Sequence, residues 1–584
     1  MTFDNVYKKF EEFVRNRGKT LLSRQEMMAG LEEMAVVAHH KELGSPLLIK
    51  ILFSMISAIF DSKPSMLVAM AKEPYQKLIV CVQQLLDLLQ ANLDIVISPN
   101  ITEEEQSLRT APFRITGDPI IIIEQMDEEY TKLLQSCDAH SNEYVERLKD
   151  GRIVDKFIDQ LIAYLEANER AQPEDLCKAY LRKVQHMYYL APSMINSDQD
   201  KETASRMERL CNFIYENDKT DRLKVQAVLC HVYYYAIHDQ WYEARDLLLT
   251  SQIPSFVDRA DIPIQMLYNR AVAQLGLCAF RRGLIGDAHQ ALLNLQSSAR
   301  ARELLGQGIV LLRGQQKTKE QEQIERMRQL PFHMHINLEL LEFVYLVSAM
   351  LVELPVLALV DFNSDQQQRR RGHFYHVLKQ SEKTVFTGPP DTMREHVVAA
   401  AKALRMGDWR TTLSNLYAPK MDAKVWSLIA SAESVKSVIT AKVKECGLTC
   451  YVFTNSSVYS NMSLQWLSTC FEIEEQQVQA LISKMIINGE LKAWMDEPTG
   501  CLLLRNVEVP PLHSSALDLA RKLAHLADAT EKLWIEKQTL LMQNRSGGVV
   551  MGSGFVLPAG AGGQQYQQQS WGGMCFFLIS TLLF

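Results

Sequence analysis

Side chains able to do covalent or metal chemistry are present in this chain, but they stand isolated. His333 and His335 alternate in an apolar segment beside Pro331. Two imidazoles make a metal site only when a third ligand joins them; none is in view, so both read as satisfied core or loop histidines. Cys446 and Cys450 lie four apart, with no second pair and no histidine cluster nearby, which argues against zinc. The eleven cysteines are an odd number without a C-x-x-C pair. The first residues, "MTFDNVYKKFEEFVRNRGKT", lack the apolar centre of a signal peptide, so reduced thiols in the cytosol are the default. The motifs G-x-G-x-x-G, G-x-x-x-x-G-K-[ST], H-E-x-x-H and G-x-S-x-G do not occur. Gly552, Gly554, Gly560, Gly562 and Gly563 fall in a low-complexity tail, not between a strand and a helix. The expectation is a protein that is not an enzyme and has no cofactor or metal.

One basic run remains. Arg369, Arg370 and Arg371 lie within "DFNSDQQQRRRGHFYHVLKQSEKTVFTGPP" (361–390), which reads as an exposed loop with a short helix. Guanidinium forks suit phosphate, so contact with RNA phosphates is one reading and a solvated loop the other.

The elements that position a surface come next. In "ISKMIINGELKAWMDEPTGCLLL" (482–504) a helix ends at Asn488-Gly489 and a strand, a turn and a second strand follow, the outline of a winged helix over about 434–505. Val435, Val438, Ile439 and Val443 form the stripe of its first helix. "TCYVFTNSSVYS" leads through a short extended piece to Ser463, the expected cap of a helix holding Leu464, Leu467 and Phe471. The third helix carries Val478, Leu481, Ile482, Met485 and Ile486 toward the core. Its outward residues are Glu474, Glu475, Gln476, Gln477, Gln479, Ser483 and Lys484, flanked by Glu472 and Glu490. A groove-reading helix needs arginine or lysine among phosphates and bidentate side chains at the bases. One lysine among four glutamates supplies neither, so this module is expected to dock on protein. The expected docking edge is the strand Cys501, Leu502, Leu503, Leu504 and Arg505, whose backbone would add to a neighbour's sheet. Beyond it, Leu512, Ala516, Leu519, Leu523, Leu526, Leu533 and Leu540 alternate by threes and fours as in a coiled-coil seam, with Thr530 and Lys537 as weak points.

A chain of 584 residues is too long for one compact core, and a helical repeat array removes the difficulty. The net charge of −7 argues against a global grip on nucleic acid. "LLIKILFSMISAIF" (47–60) is too short to span a bilayer, and "NLELLEFVYLVSAMLVELP" (337–355) carries Glu339, Glu342 and Glu353. Both read as buried core helices, and no membrane contact is expected. Val6, Phe10 and Phe13, then Leu85, Leu88 and Leu89, mark stripes of an N-terminal helical domain over 1–110. A polar connection at about 98–118 leads to a helical-repeat region over 119–330. There, in "AIHDQWYEARDLLL" (236–249) and "FRRGLIGDAHQALLNL" (280–295), and again in "ALRMGDWRTTLSNL" (403–416), a helix stops at a tight polar turn and another starts. Gly286-Asp287 and Gly407-Asp408 are the expected left-handed stops and caps. A helical part over 331–430 precedes the winged helix and ends a unit spanning 331–507. A C-terminal helix covers 511–542 and a disordered low-complexity tail 543–584. The fold class is therefore mainly α: a helical-repeat solenoid, a winged-helix module and a C-terminal helix.

That order of parts resembles the PCI domain, shared by the proteasome lid, the signalosome and translation initiation factor three. "LCHVYYYAIHDQWYEARDLLLTSQI" (229–253), "LYNRAVAQLGLCAFRRGL" (267–284), "RELLGQG" (302–308), "LPFHMHINLELLEFVYLVSAMLVELP" (330–355), "GPPDTMREHVVAAAKAL" (388–404) and "SKMIINGELKAWMDEPT" (483–499) are similar to the c-subunit family of eukaryotic translation initiation factor three. The resemblance implies a non-catalytic, cytoplasmic scaffold whose winged helix and terminal helix join those of other PCI subunits, notably the large a-subunit. It also implies binding of the assembly to the 40S ribosomal subunit. The family's acidic, serine-rich N-terminal extension, which binds initiation factors one and five, has no match here, so those contacts are not carried over. Arginine is absent after Arg545, unlike the family's Gly-, Tyr- and Arg-rich tail. The rival expectations are a PCI subunit of the proteasome lid or signalosome, and a winged-helix protein that binds nucleic acid directly.

Overall fold

Helices in this chain end and restart by one repeated device. The helix Arg222–Ile237 is followed by Trp241–Thr250, Ile262–Arg281 by Ile285–Ser297, and Met393–Arg405 by Trp409–Leu416. Two residues past each stop the backbone turns left-handed, at Asp239 (φ 60), Gly283 (φ 81) and Gly407 (φ 83). The next N–H, of Gln240, Leu284 and Asp408, donates back to the carbonyls of Tyr235, Ala279 and Ala403 at 3.0, 2.9 and 3.1 Å. This reverse bond satisfies a helix-end carbonyl and fixes the angle at which the next helix leaves. Gly407 and Asp408 do what the sequence implies, Asp408 accepting from the Thr411 N–H at 3.1 Å. Gly286 and Asp287 do not: both sit in the first turn of Ile285–Ser297, and Gly283 is the stop. Ala244 and Ala288 are fully buried, as expected of small residues where paired helices meet.

The structure, a computed structural model, describes residues 3–546 apart from 18–23, 42, 64–67, 103–104, 111, 169–171, 193–196, 298–299, 309–317, 360–371, 384–387, 430, 457, 497 and 505–510. One hydrophobic core runs from Val6 to Cys450 and passes unbroken through positions 110 and 330. Val6, Phe10, Leu85 and Leu89 are buried in it, with Phe13 and Leu88 packed against its side. The polar connection after residue 98 is bracketed by two short parallel strands, β1 (Val96–Ser98) and β2 (Arg114–Thr116), which the sequence pattern does not mark.

At the centre lies the helix Leu338–Leu359, packed against Ile285–Ser297, Met393–Arg405 and the helix Ala432–Asn455. The stretch 332–358 is long and apolar enough to cross a bilayer, and 61% of its most apolar window is buried inside the protein. Glu342 on it pairs with Arg394. Those partners make it a core helix of this fold, as its glutamates imply.

The helix Ala432–Asn455 belongs to two cores. Val435, Ile439 and Val443 pack into the large one, whereas Leu448, Val452 and Phe453 begin the separate core of the winged helix. The helix therefore continues through Cys450–Asn455, where the sequence suggests an extended approach, and only Asn461–Ser463 (β3) is strand. The helices Leu464–Phe471 and Glu475–Ile487 follow, then β4 (Ala493–Asp496) and β5 (Cys501–Leu504). Leu467, Val478, Ile482 and Leu502 are completely buried between helices and sheet, each worth about 1.5–3 kcal/mol of transfer free energy. Ser463 holds the expected cap position, but its side chain accepts no capping bond; the Leu464 N–H donates to the Gly500 carbonyl at 3.0 Å instead.

A second unit begins at Val507, and its described residues form the helix Pro511–Ser546, of 36 residues. At 1.5 Å per residue it is about 54 Å long. It includes 543–546, the first residues of the segment expected to be disordered; the remainder of that tail lies outside the described residues.

Candidate functional site

Strand order decides which backbone is open. The sheet runs β3-β5-β4, with Asn461, Met462 and Ser463 opposite Leu503, Leu502 and Cys501, and Ala493 through Asp496 opposite Leu504 through Cys501. The strand Cys501, Leu502, Leu503, Leu504 is thus the middle strand, paired on both sides, and its backbone is not a free edge. This corrects the sequence expectation. The extended piece before Ser463 supplies the third strand and closes one side of β5, with a further bond from the Leu504 N–H to the Ser460 carbonyl at 2.9 Å. Arg505 lies outside the described residues.

Among the described residues β3 and β4 are the outer strands of this sheet, and β4 is the open edge of the wing. Its Trp494 is 53% exposed, and Ile487, at the end of the preceding helix, is 83% exposed. Periodicity in the sequence points to neither. Lys492 is exposed at the start of the strand and Asp496 lies at its end, where it accepts from the Thr499 hydroxyl.

The outward face of Glu475–Ile487 agrees with its sequence. Glu474, Glu475, Gln476, Gln477, Gln479 and Lys484 are exposed and Ser483 is half-buried. Two cations nearby are already engaged: Arg410 and Lys444 each reach Glu472 at 2.9 Å. The Lys444 hydrogen bond, ahead of that from Arg410, holds the Glu472 carboxyl below its ordinary value. A face of this sign repels phosphate.

On the C-terminal helix, Leu519, Leu523, Leu526 and Leu533 are 61, 58, 60 and 64% exposed, and Trp534 and Ile535 beside them are also exposed. Leu512 and Leu540 fall outside the described side chains, and Arg369, Arg370 and Arg371 outside the described residues.

The isolated chemical groups are structurally accounted for. His333 Nδ1 lies 3.0 Å from the Tyr144 hydroxyl, and His335 Nε2 donates to the Leu330 carbonyl at 2.8 Å. Burial pushes His333 down to about 4 and lowers His335 as well, so both are neutral. Cys446 and Cys450 are buried; the Cys450 hydrogen bond, then burial, pushes the Cys446 thiol well up, away from the thiolate a metal requires. No cluster of three or more metal-capable side chains occurs among the described residues.

The profile described as the N-terminus of eukaryotic translation initiation factor 3 subunit 8 matches residues 1–364, more than half the chain, and the PCI domain profile matches residues 435–506. The C subunit of eukaryotic translation initiation factor 3 from Danio rerio is 44% identical over 552 residues, covering 91% of this chain and 59% of its own length. The Bombyx mori protein of that name is 43% identical over 553 residues (94% and 62%), and the Xenopus laevis protein 41% over 552 (91% and 59%). The chain spans about three fifths of the length of these curated relatives. With its helical array, its PCI winged helix and these matches, the chain belongs to the C-subunit family of eukaryotic translation initiation factor 3.

Proposed function

We propose that this chain is a non-catalytic scaffold of the translation initiation factor 3 complex, acting in the cytoplasm. It joins other PCI subunits, notably the large a-subunit, and binds the 40S ribosomal subunit within the 43S preinitiation complex to promote mRNA recruitment. The observation that carries the reading is the row of Leu519, Leu523, Leu526 and Leu533, all mostly exposed at seam spacing on one long helix. Exposed apolar side chains in such a row mark an interaction surface, and each would return about 1.5–3 kcal/mol on burial against a partner helix. The acidic face of Glu475–Ile487 and the open β4 edge support protein over duplex nucleic acid as the partner of the winged helix. Arg369, Arg370 and Arg371 are proposed to contact ribosomal RNA phosphates. Their charge reversal then weakens small-subunit binding in a salt-dependent way, and unchanged binding across a salt series removes them from the contact.

The test of the whole reading is affinity purification of the chain with mass spectrometry of what accompanies it. Other initiation factor 3 subunits and 40S particles are expected. Recovery of proteasome-lid or signalosome subunits instead, or of the chain alone, overturns it.

A further inference from the structure

A half-open cavity of about 580 Å³ lies between the helices Pro119–Ser136, Asn142–Ala167, Pro173–Met187, Arg222–Ile237 and Ile262–Arg281, walled on one side by residues 327–334. That wall is fastened: Gln135 Nε2 donates to the carbonyls of Met327 and Gln329 at 3.2 and 2.6 Å, and the His333 N–H to the Tyr144 hydroxyl at 3.1 Å. The volume lies within the range of small-molecule sites.

The charge on the walls is unbalanced. Arg270 is 1% exposed. One of its nitrogens, Nη2, donates to the Met334 carbonyl at 2.8 Å and reaches the Tyr233 hydroxyl at 3.4 Å, while Nε and Nη1 have no hydrogen-bond partner. No carboxylate among the described residues pairs with it. The Tyr233 ring, 5.4 Å from the guanidinium carbon, answers part of its charge, and a buried guanidinium with so few partners remains costly. Arg152 and Arg328, also on the walls, are exposed and likewise unpaired among the described residues. The two aspartates present are taken: Asp127 is held by His186 at 2.9 Å and Arg182 at 3.4 Å, and Asp155 by Lys183 at 2.7 Å. His333 is lowered first by burial and further by the charges of His186 and Arg270. Tyr130, Tyr188 and Tyr189 add flat faces, and Leu134, Leu267 and Met266 apolar ones.

We propose that this cavity binds a small anion of mononucleotide size, a flat ring carrying phosphate, with the phosphate on the arginines and the ring among the tyrosines. Guanidinium forks give phosphate its best geometry, and aromatic faces hold a ring without reading its identity. A nucleic acid strand fits less well. Outside the cavity Arg182 is approached by Glu124 and Glu128 at 3.5 and 3.8 Å, an acidic rim unsuited to a run of phosphates.

The experiment titrates the full chain calorimetrically with the four common nucleoside monophosphates, and separately with adenosine, inorganic phosphate, an oligoglutamate peptide and an oligouridine. Saturable binding of at least one monophosphate is expected, with adenosine and phosphate each about tenfold weaker or more. Hydrogen-exchange protection should centre on residues 182–190 and 327–334. The double variant Arg152→Glu/Arg328→Glu, at exposed positions that leave folding intact, and the single variant Arg270→Met should each weaken binding about tenfold or more. Absence of saturable binding by every monophosphate, binding indifferent to the double variant, or tighter protection of the same residues by the peptide or the oligouridine overturns the assignment.

Discussion

Trp494 stands opposite Leu503 across the β4–β5 pair, while Met495 stands opposite Leu502. Directly opposed residues share a face of a sheet, so Met495, Leu502 and Met462 line the core face, and Trp494, Leu503 and Asn461 the outer one. An indole 53% exposed on the open strand contributes little to the isolated fold. Trp494→Asp is therefore expected to lower the unfolding free energy by only about 1 kcal/mol, through the lost pair with Leu503 and the poor strand propensity of aspartate. Under the proposed docking it weakens recovery of partner subunits several-fold. Urea titration and quantitative co-purification measure the two effects, and a variant that assembles normally excludes this edge.

Gly283 and Gly286 are three residues apart and respond oppositely to a methyl group. Gly283 has φ +81, and a Cβ there would sit 2.5 Å from Val438 Cγ1. Gly286 is helical and a Cβ would meet nothing within 4 Å. Gly283→Ala should destabilise by about 1–3 kcal/mol. Gly286→Ala should be neutral or stabilise by up to about 1 kcal/mol through helix propensity. Equilibrium denaturation of the two variants side by side checks this; equal effects would mean that the turn is not placed as described.

These glycines also show what a sequence can carry. The existence of the helix pairs is legible, because apolar periodicity and turn residues are local properties. Which of two nearby glycines takes the left-handed residue is not, because the reverse hydrogen bond to Ala279 fixes it. The winged helix divides along the same line. The acidic face of Glu475–Ile487 needs only a helical period to be read. The middle position of Cys501–Leu504 depends on pairing with Asn461–Ser463, some forty residues earlier in the chain, and no local pattern specifies that partner. Val435, Ile439 and Val443 form the buried stripe that their spacing implies, but periodicity does not say which of two cores receives it. The cavity around Arg270 is beyond local pattern altogether, since five helices supply its walls.

Leu523→Asp probes the seam. The side chain is 58% exposed, so a carboxylate there leaves the chain helical and its unfolding free energy within about 0.5 kcal/mol. Buried against a partner helix, the same charge costs several kcal/mol and partner subunits are lost. Circular dichroism together with co-purification separates these results. A variant that retains its partners places the seam outside the interface.

Glu353 gives a pH signature inside the core of the array. Its side chain is 12% exposed, its carboxylate faces the N–H groups of Phe374 and Tyr375 at the start of the helix His373–Lys383, and His289 Nε2 is 3.8 Å away. Burial raises Glu353 from 4.5 to about 7 against the pull of those two N–H groups, and burial lowers His289, which therefore offers no charge at neutral pH. Between pH 4.5 and 7 the folded protein keeps a proton that the unfolded chain releases. This group's contribution to stability is thus fully present below about 4.5 and is lost as pH rises through 7. The slope approaches about 1.4 kcal/mol per pH unit at its steepest, and partial solvation makes the total about 2 kcal/mol. Glu353→Gln keeps an oxygen for the two N–H groups and removes the charge. The variant should match the parent near pH 5 and exceed its stability by about 2 kcal/mol near pH 7.5. His289 titrates with the opposite slope in both proteins, so the difference between the two profiles is the quantity to read. Urea midpoints that stay parallel from pH 5 to 7.5 would show that Glu353 is already ionised in the fold.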